Sequence, residues 1–266
     1  MKIGRFLQIL ASISLVATLG CQTRERTTQA PVRVKTPEQI EFDQNLTRAQ
    51  QGDAEAQYRV GFYYAERKRS LYENSREAIK WLKLSLSQGY GKAQPLLAEV
   101  EQSEAKRKSS FEDFKDKAET GDAKAQYNLG RCYANSLGVA RDMAEAVKWY
   151  RKAAEQNNAQ AQVALGGYYE FNVQDDPWHI KEAMQWYRRA AQQNDPTGQL
   201  LLGSWCEILH NYVEAYMWEY LAFMHGGDSA SSAIQHMSSM ARFMSPSQID
   251  EAKQLAREFK PQKASD

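Results

Sequence analysis

Internal repetition is the feature that most constrains this chain. Aligned on an Ala-Gln or Gly-Gln pair, five segments share a pattern: GDAEAQYRVGFYY at Gln57, GYGKAQPLLAEV at Gln94, GDAKAQYNLGRCY at Gln126, NNAQAQVALGGYY at Gln162 and NDPTGQLLLGSWC at Gln199. The spacings are 37, 32, 36 and 37 residues, a period that belongs to arrays of small helical units. A second signature runs in phase: Glu77-Ala78-x-x-Trp81, Glu145-Ala146-x-x-Trp149-Tyr150, Glu182-Ala183-x-x-Trp186-Tyr187 and Glu214-Ala215-x-x-Trp218. Two helices per repeat follow. An isolated pair cannot bury its apolar stripe, so the pairs must stack on one another.

The recurring positions have physical roles. In the first helix Ala125, Leu129 and Tyr133 are four apart and share a face, and Gly130 removes a side chain where a neighbouring helix comes close. In the second, Ala146, Trp149 and Ala153 form the inward stripe, with the indole between small residues. On the same phase, the tryptophans read as core rather than as a ligand platform. Asn74-x-x-Glu77, Asp142-x-x-Glu145 and Asn211-x-x-Glu214 place a side-chain acceptor at the expected N-cap and a carboxylate at N3. In the third copy His179 takes the cap position, a weaker choice.

Composition agrees with an all-α chain. Of 266 residues 42% are hydrophobic and 25% charged, with 34 Lys+Arg against 33 Asp+Glu. That balance excludes the field of a strongly basic nucleic-acid binder. Only seven prolines occur, and period-two runs of β-branched residues are missing beyond residue 40, which disfavours a sheet-based site.

The motif A-x-A-Q-x-x-L-G-x-x-Y followed by D-x-x-E-A-x-x-W-Y-x-x-A-A resembles the Sel-one-like repeat, a relative of the tetratricopeptide repeat. The match is closest over 121–156 and 157–193, good over 52–88 and recognisable over 194–227. Segment 89–120 keeps Ala93-Gln94 but has Leu97 or Ala98 for the glycine, and Phe111 and Phe114 instead of E-A-x-x-W. It reads as a degenerate repeat, the alternative being a long helical linker between two blocks. The resemblance implies an α-solenoid of stacked antiparallel helix pairs, a right-handed superhelix over residues 37–243. Met244-Ser245-Pro246-Ser247-Gln248-Ile249 and the residues after it, 244–266, resemble the family's closing helix and tail, with Ser245 as N-cap, Pro246 at N1 and Gln248 at N3.

The first twenty residues stand apart. Lys2 and Arg5 precede a largely apolar stretch from Phe6 to Leu19, too short to span a bilayer comfortably, and Leu19-Gly20-Cys21 follows. This resembles a bacterial lipoprotein signal, with Thr18 where the pattern usually has Leu. The resemblance implies cleavage before Cys21, lipidation of that cysteine, a flexible tether over 21–36 and a place in the cell envelope. Gln22 rather than Asp after the cysteine implies the outer membrane, facing the periplasm. An ordinary secretory signal and a lone anchor helix are the other readings.

A search for chemistry finds no constellation with catalytic or metal-site spacing. His179, His210, His225 and His236 include no H-E-x-x-H and no close pairing with cysteine. Gly166-Gly167 and Gly226-Gly227 lack the context of a phosphate loop. Ser103-Glu104-Ala105-Lys106 matches S-x-x-K without S-D-N or K-T-G. It keeps open the rival reading, an enzyme-like factor acting on cell-wall peptides or β-lactams. After Cys21 only Cys132 and Cys206 remain, in repeats separated by another, and uniform stacking would hold them too far apart to bridge. No metal, cofactor or nucleic acid is expected. The expected function is that of a non-enzymatic scaffold binding a protein or peptide through the concave face that tetratricopeptide-like first helices line. Off the packing stripe those helices carry Arg59 and Tyr63, Asn128 and Cys132, Ala164 and Tyr168, and Leu201 and Trp205. Arg59, Tyr63, Asn128, Tyr168 and Trp205 are the candidate contact residues. The competing role for the aromatics is filling space between adjacent repeats.

Overall fold

The computed structural model describes residues 35–66, 71–171, 177–225 and 229–262. The leader, Cys21 and all but the end of the tether lie outside the described residues. The chain divides into two compact units, Met1–Asp43 and Gln44–Asp266. In the first, Thr36 and Gln39 cap the start of helix α1 (Pro37–Gln50) reciprocally, each side chain taking the other's backbone N–H, and Lys35 pairs with Asp43.

Among its described residues the second unit is built of helices joined by short turns and loops. Three pairs follow the repeat pattern: α2 (Ala54–Glu66) with α3 (Leu71–Ser87), α5 (Ala123–Asn135) with α6 (Met143–Glu155), and α7 (Ala159–Phe171) with α8 (Pro177–Gln192). A fourth, α9 (Pro196–Ile208) with α10 (Tyr212–His225), leads into α11 (Ser229–Met240), a 3₁₀ turn (Ala241–Phe243) and α12 (Pro246–Glu258). Each helix packs on its successor from α2 to α11, and α12 packs on α10. Each first helix opens on a short acceptor: Asp53, Asp122, Asn158 and Asp195 take the N–H three residues on. The preceding residue, Gly52, Gly121, Asn157 or Asn194, has positive φ. The turn into every first helix thus needs a left-handed residue, which explains the G-D, N-N and N-D pairs.

Segment 89–120 differs from a helix pair. Residues 93–119 form one helix of 27 residues, α4 (Ala93–Glu119), because no glycine, proline or asparagine interrupts the run from Leu96 to Glu119. Its first half supplies Ala93, Leu97 and Val100 to a core shared with Ala78 and Leu82, and its second half supplies Phe111 and Ala118 to another with Leu129 and Cys132. One rod stands where two short helices would, and it joins neighbouring cores. Gln94 is exposed on it and does not act as the other repeat glutamines do.

Those glutamines form a buried polar ladder. Gln57, Gln126, Gln162 and Gln199 are each 5% exposed or less. Each donates its side-chain amide to a carbonyl eight residues back, in the last turn of the preceding helix: Ala49, Ala118, Ala154 and Ala191, at 3.1 to 3.3 Å. Each side-chain carbonyl accepts from the end of the next second helix or just beyond it, where Gln88, Gln156 and Gln193 donate at 2.6 to 2.8 Å, and His225 Nδ1 lies 3.0 Å from Gln199 Oε1. One side chain thus ties three consecutive elements and leaves no helix-end carbonyl stranded there.

The repeat glycine lies, as expected, where the neighbouring helix comes close, and the side chain it admits is a large one. A Cβ on Gly130 would lie 2.6 Å from the Tyr150 ring, and one on Gly166 2.5 Å from Tyr187. The residue after each tryptophan, not the tryptophan, fills the glycine's space. Accordingly Tyr150 and Tyr187 are buried, as are Trp81, Trp186 and Trp218, but Trp149 is half-buried beneath Lys152, whose Nζ sits 4.1 Å from its ring centre. The caps differ too. Asp142 accepts two N–H bonds as expected, whereas Asn74 and His179 lie inside helices that begin earlier, and Asn211 donates to Glu214. Ser245, Pro246 and Gln248 form the expected capping box.

Candidate functional site

The candidate surface is the row of first-helix residues off the packing stripe. Arg59, on α2, is exposed and held to Glu55 one turn earlier at 2.9 Å. Tyr63 is half-buried and stands edge-on to Tyr64, ring centres 6.1 Å apart. Asn128 is half-buried on α5. Tyr168, on α7, is half-buried, meets Tyr169 edge-on at 5.6 Å and packs against the core that spans α6 to α12. Trp205 and Leu201, on α9, pack on the same core. Each of the three aromatics is therefore partly exposed and partly packed. Both expected roles, contact and inter-repeat filling, draw on the same rings.

Cys132 does not belong to this row. It is 4% exposed, packed among Phe111, Leu129 and Ala118, and burial pushes its thiol up to about 11. Cys206 is likewise buried and pushed up to about 12. Neither is in a disulfide, and thiols so far from ionising make poor nucleophiles.

Other chemistry is sparse. Ser103 and Lys106 lie in the middle of α4, where the neighbouring Arg107 is tied to Glu104 and Ser75. Among the described residues no group of three or more His, Cys, Asp or Glu side chains could hold a metal ion, and no helix is long and apolar enough to cross a membrane. Two features escaped the sequence reading. At the C-terminal end a cleft of about 290 Å³ opens between α10 and α12, lined by Tyr220, Leu221, Met224, Ala256 and Phe259 with His225 and Arg257. Large apolar side chains are also exposed where first helices turn into their partners: Phe171, Trp178, Ile208, Leu209 and, in the 3₁₀ turn, Phe243. Their off-stripe placement beside loops was the available signal.

Stacked helix pairs, a row of half-buried aromatics and a near-neutral charge define a helical repeat protein. The family model described as Sel1 repeat matches residues 54–90, 123–158 and 159–195, and the chain carries Sel1 repeats. Proteins with these repeats are generally protein-interaction scaffolds. The pair α9–α10 has the same glutamine and glycine but lies outside the matched stretches. Similar curated proteins include the putative sel1-like repeat-containing protein L18 of Acanthamoeba polyphaga mimivirus, 45% identical over 47 residues, which are 18% of this chain and 8% of that protein. DAP3-binding cell death enhancer 1 of Rattus norvegicus is 46% identical over 48 residues, 18% of this chain and 9% of that one. Chitin synthase regulatory factor 3 of Schizosaccharomyces pombe is 40% identical over 60 residues, 22% and 6%. The matches thus span less than a tenth of these relatives. Among solved structures, a protective antigen of uropathogenic Escherichia coli displaying an SLR fold aligns at 27% identity and a TM-score of 0.49, over 82% of this chain and 48% of that one. A Sel1 repeat protein from Oxalobacter formigenes aligns at 21% and 0.45, over 83% and 99%.

Proposed function

We propose that this chain is a non-enzymatic scaffold, lipid-anchored through Cys21 in a bacterial envelope at the periplasmic face of the outer membrane, that binds a protein or peptide along its first helices. The observation that carries the binding role is the row Tyr63, Tyr168 and Trp205: rigid rings, each half-buried, recurring two residues after a repeat glycine. Rings held this way lose little conformational freedom on docking, which favours them as contact residues. Arg59 and Asn128 add polar contacts between them. The anchor rests on Leu19-Gly20-Cys21 behind a short apolar run, and the similarity to the rat DAP3-binding cell death enhancer 1 is in keeping with a protein partner. The test is affinity capture from envelope extract by the wild-type chain and by the triple variant Tyr63→Ala, Tyr168→Ala, Trp205→Ala. A folded triple variant that loses a partner held by the wild type supports the reading. A folded variant that keeps every partner contradicts it, and the exposed apolar edge at Phe171, Ile208 and Phe243 becomes the next surface to alter.

A further inference from the structure

The last repeat breaks the pattern at its centre. Where Leu82, Tyr150 and Tyr187 follow the tryptophans, Glu219 follows Trp218. It occupies the same slot: a Cβ on Gly203 would lie 2.9 Å from Glu219 Cγ, as one on Gly166 would meet the Tyr187 ring. The residue is 0% exposed. Its Oε1 is 2.8 Å from Nδ1 of His236, on α11, and 3.5 Å from Ser204 Oγ, on α9. Its other oxygen, Oε2, is buried without a hydrogen-bond partner. A buried carboxylate with one stranded oxygen is costly where the preceding repeats place an apolar group or a ring.

We propose that Glu219 and His236 form a proton-dependent latch that holds helix α11 on the last repeat, tight when Glu219 carries a proton and loosened when it does not. The slot is walled by α9 and covered by α11, so water reaches Oε2 when α11 moves away. Two charged groups act on Glu219: His236 from α11 and, from α9, Glu207. Arg257, on α12, lines instead the cleft beside Tyr220 and His225.

Burial raises the Glu219 carboxyl to about 7, against the lowering effect of the His236 bond. The direction of the pH effect follows. A carboxyl that is raised while covered and ordinary, near 4.5, when open binds its proton more tightly in the closed form. Its stabilisation of the closed form is complete below about 4.5 and is lost as pH rises through about 7. The latch is therefore tighter in mild acid.

Amide exchange along α11, corrected for the intrinsic pH dependence of exchange, tests this. In the wild type the opening constant of residues 229–240 rises roughly 20-fold between about pH 5.5 and 7.5, while amides of α5 do not follow. In Glu219→Gln and in Glu219→Tyr, which restores the residue of the two preceding repeats, that rise disappears. His236→Ala removes a lowering influence, so the rise continues to higher pH. A wild-type α11 whose opening is the same at both pH values overturns the proposal even if every variant fails to fold. So does an equal rise in Glu219→Gln.

Discussion

At the residue scale, two small side-chain choices carry much of the stack. Gly166 is adjacent in sequence to Gly167, yet an added Cβ would meet Tyr187 at 2.5 Å in the first case and only its hydroxyl at 3.7 Å in the second. Gly166→Ala should destabilise by about 1–3 kcal/mol through overpacking. Gly167→Ala should be neutral or stabilising by up to about 1 kcal/mol, because alanine is the better helix former. Chemical denaturation of the two variants separates them. The ladder makes a parallel case. Gln162→Ala strands the Ala154 carbonyl and the Gln193 amide and should cost about 1–3 kcal/mol, whereas Gln94→Ala, exposed on α4, should stay within about 0.5 kcal/mol of wild type. Among the aromatics, Tyr150→Ala should cost about 3–5 kcal/mol. Trp149→Ala should cost less, since its indole is only half-buried, with the Lys152 ammonium over the ring. Equal losses at 149 and 150 in thermal melts would contradict the assignment of Tyr150 to the glycine slot.

At the element scale, α4 is where the repeat pattern and the structure part. Helix pairs around Gln57, Gln126, Gln162 and Gln199 were legible because each needs a left-handed turn residue, a capping acceptor and a glycine at fixed offsets. Local chemistry demands these, so they survive in the residues. The same offsets at Gln94 were only half kept, and the deciding signal was an absence of breakers after Leu96 rather than a motif. What could not be read was which of two adjacent aromatics faces the glycine, because Trp149 and Tyr150 differ by one helical position and both suit a core. The glutamine ladder was visible as repetition, but its partners are backbone carbonyls, which leave no mark in a sequence. If α4 couples neighbouring cores, breaking its middle should uncouple them. Lys106→Pro, at an exposed position between Val100 and Phe111, should cost about 3 kcal/mol and split or broaden the denaturation curve. A single sharp transition of unchanged width would show that the two cores do not depend on α4 for their coupling.

At the scale of the whole molecule, the proposed function couples a lipid anchor at Cys21 to a repeat array that binds a partner. Diacylation of Cys21 would supply the two-chain anchoring that one acyl chain does not hold stably. Cys21→Ser should therefore leave the protein unprocessed or release it to the soluble fraction on cell fractionation, and a variant processed and retained as before would contradict the anchor. The charges of the whole chain nearly cancel, so under the proposed function recognition would rest on shape and on the half-buried rings rather than on a long-range field. The most direct measurement is site-specific photo-crosslinking in the native envelope, with a photoreactive side chain placed in turn at Tyr63, Tyr168, Trp205 and, as a control on the loop edge, Phe171. If the first helices form the binding face, the three positions give adducts to the same partner protein and Phe171 does not. Adducts from Phe171 with none from the three rings would place the binding surface on the loop edge and contradict the account.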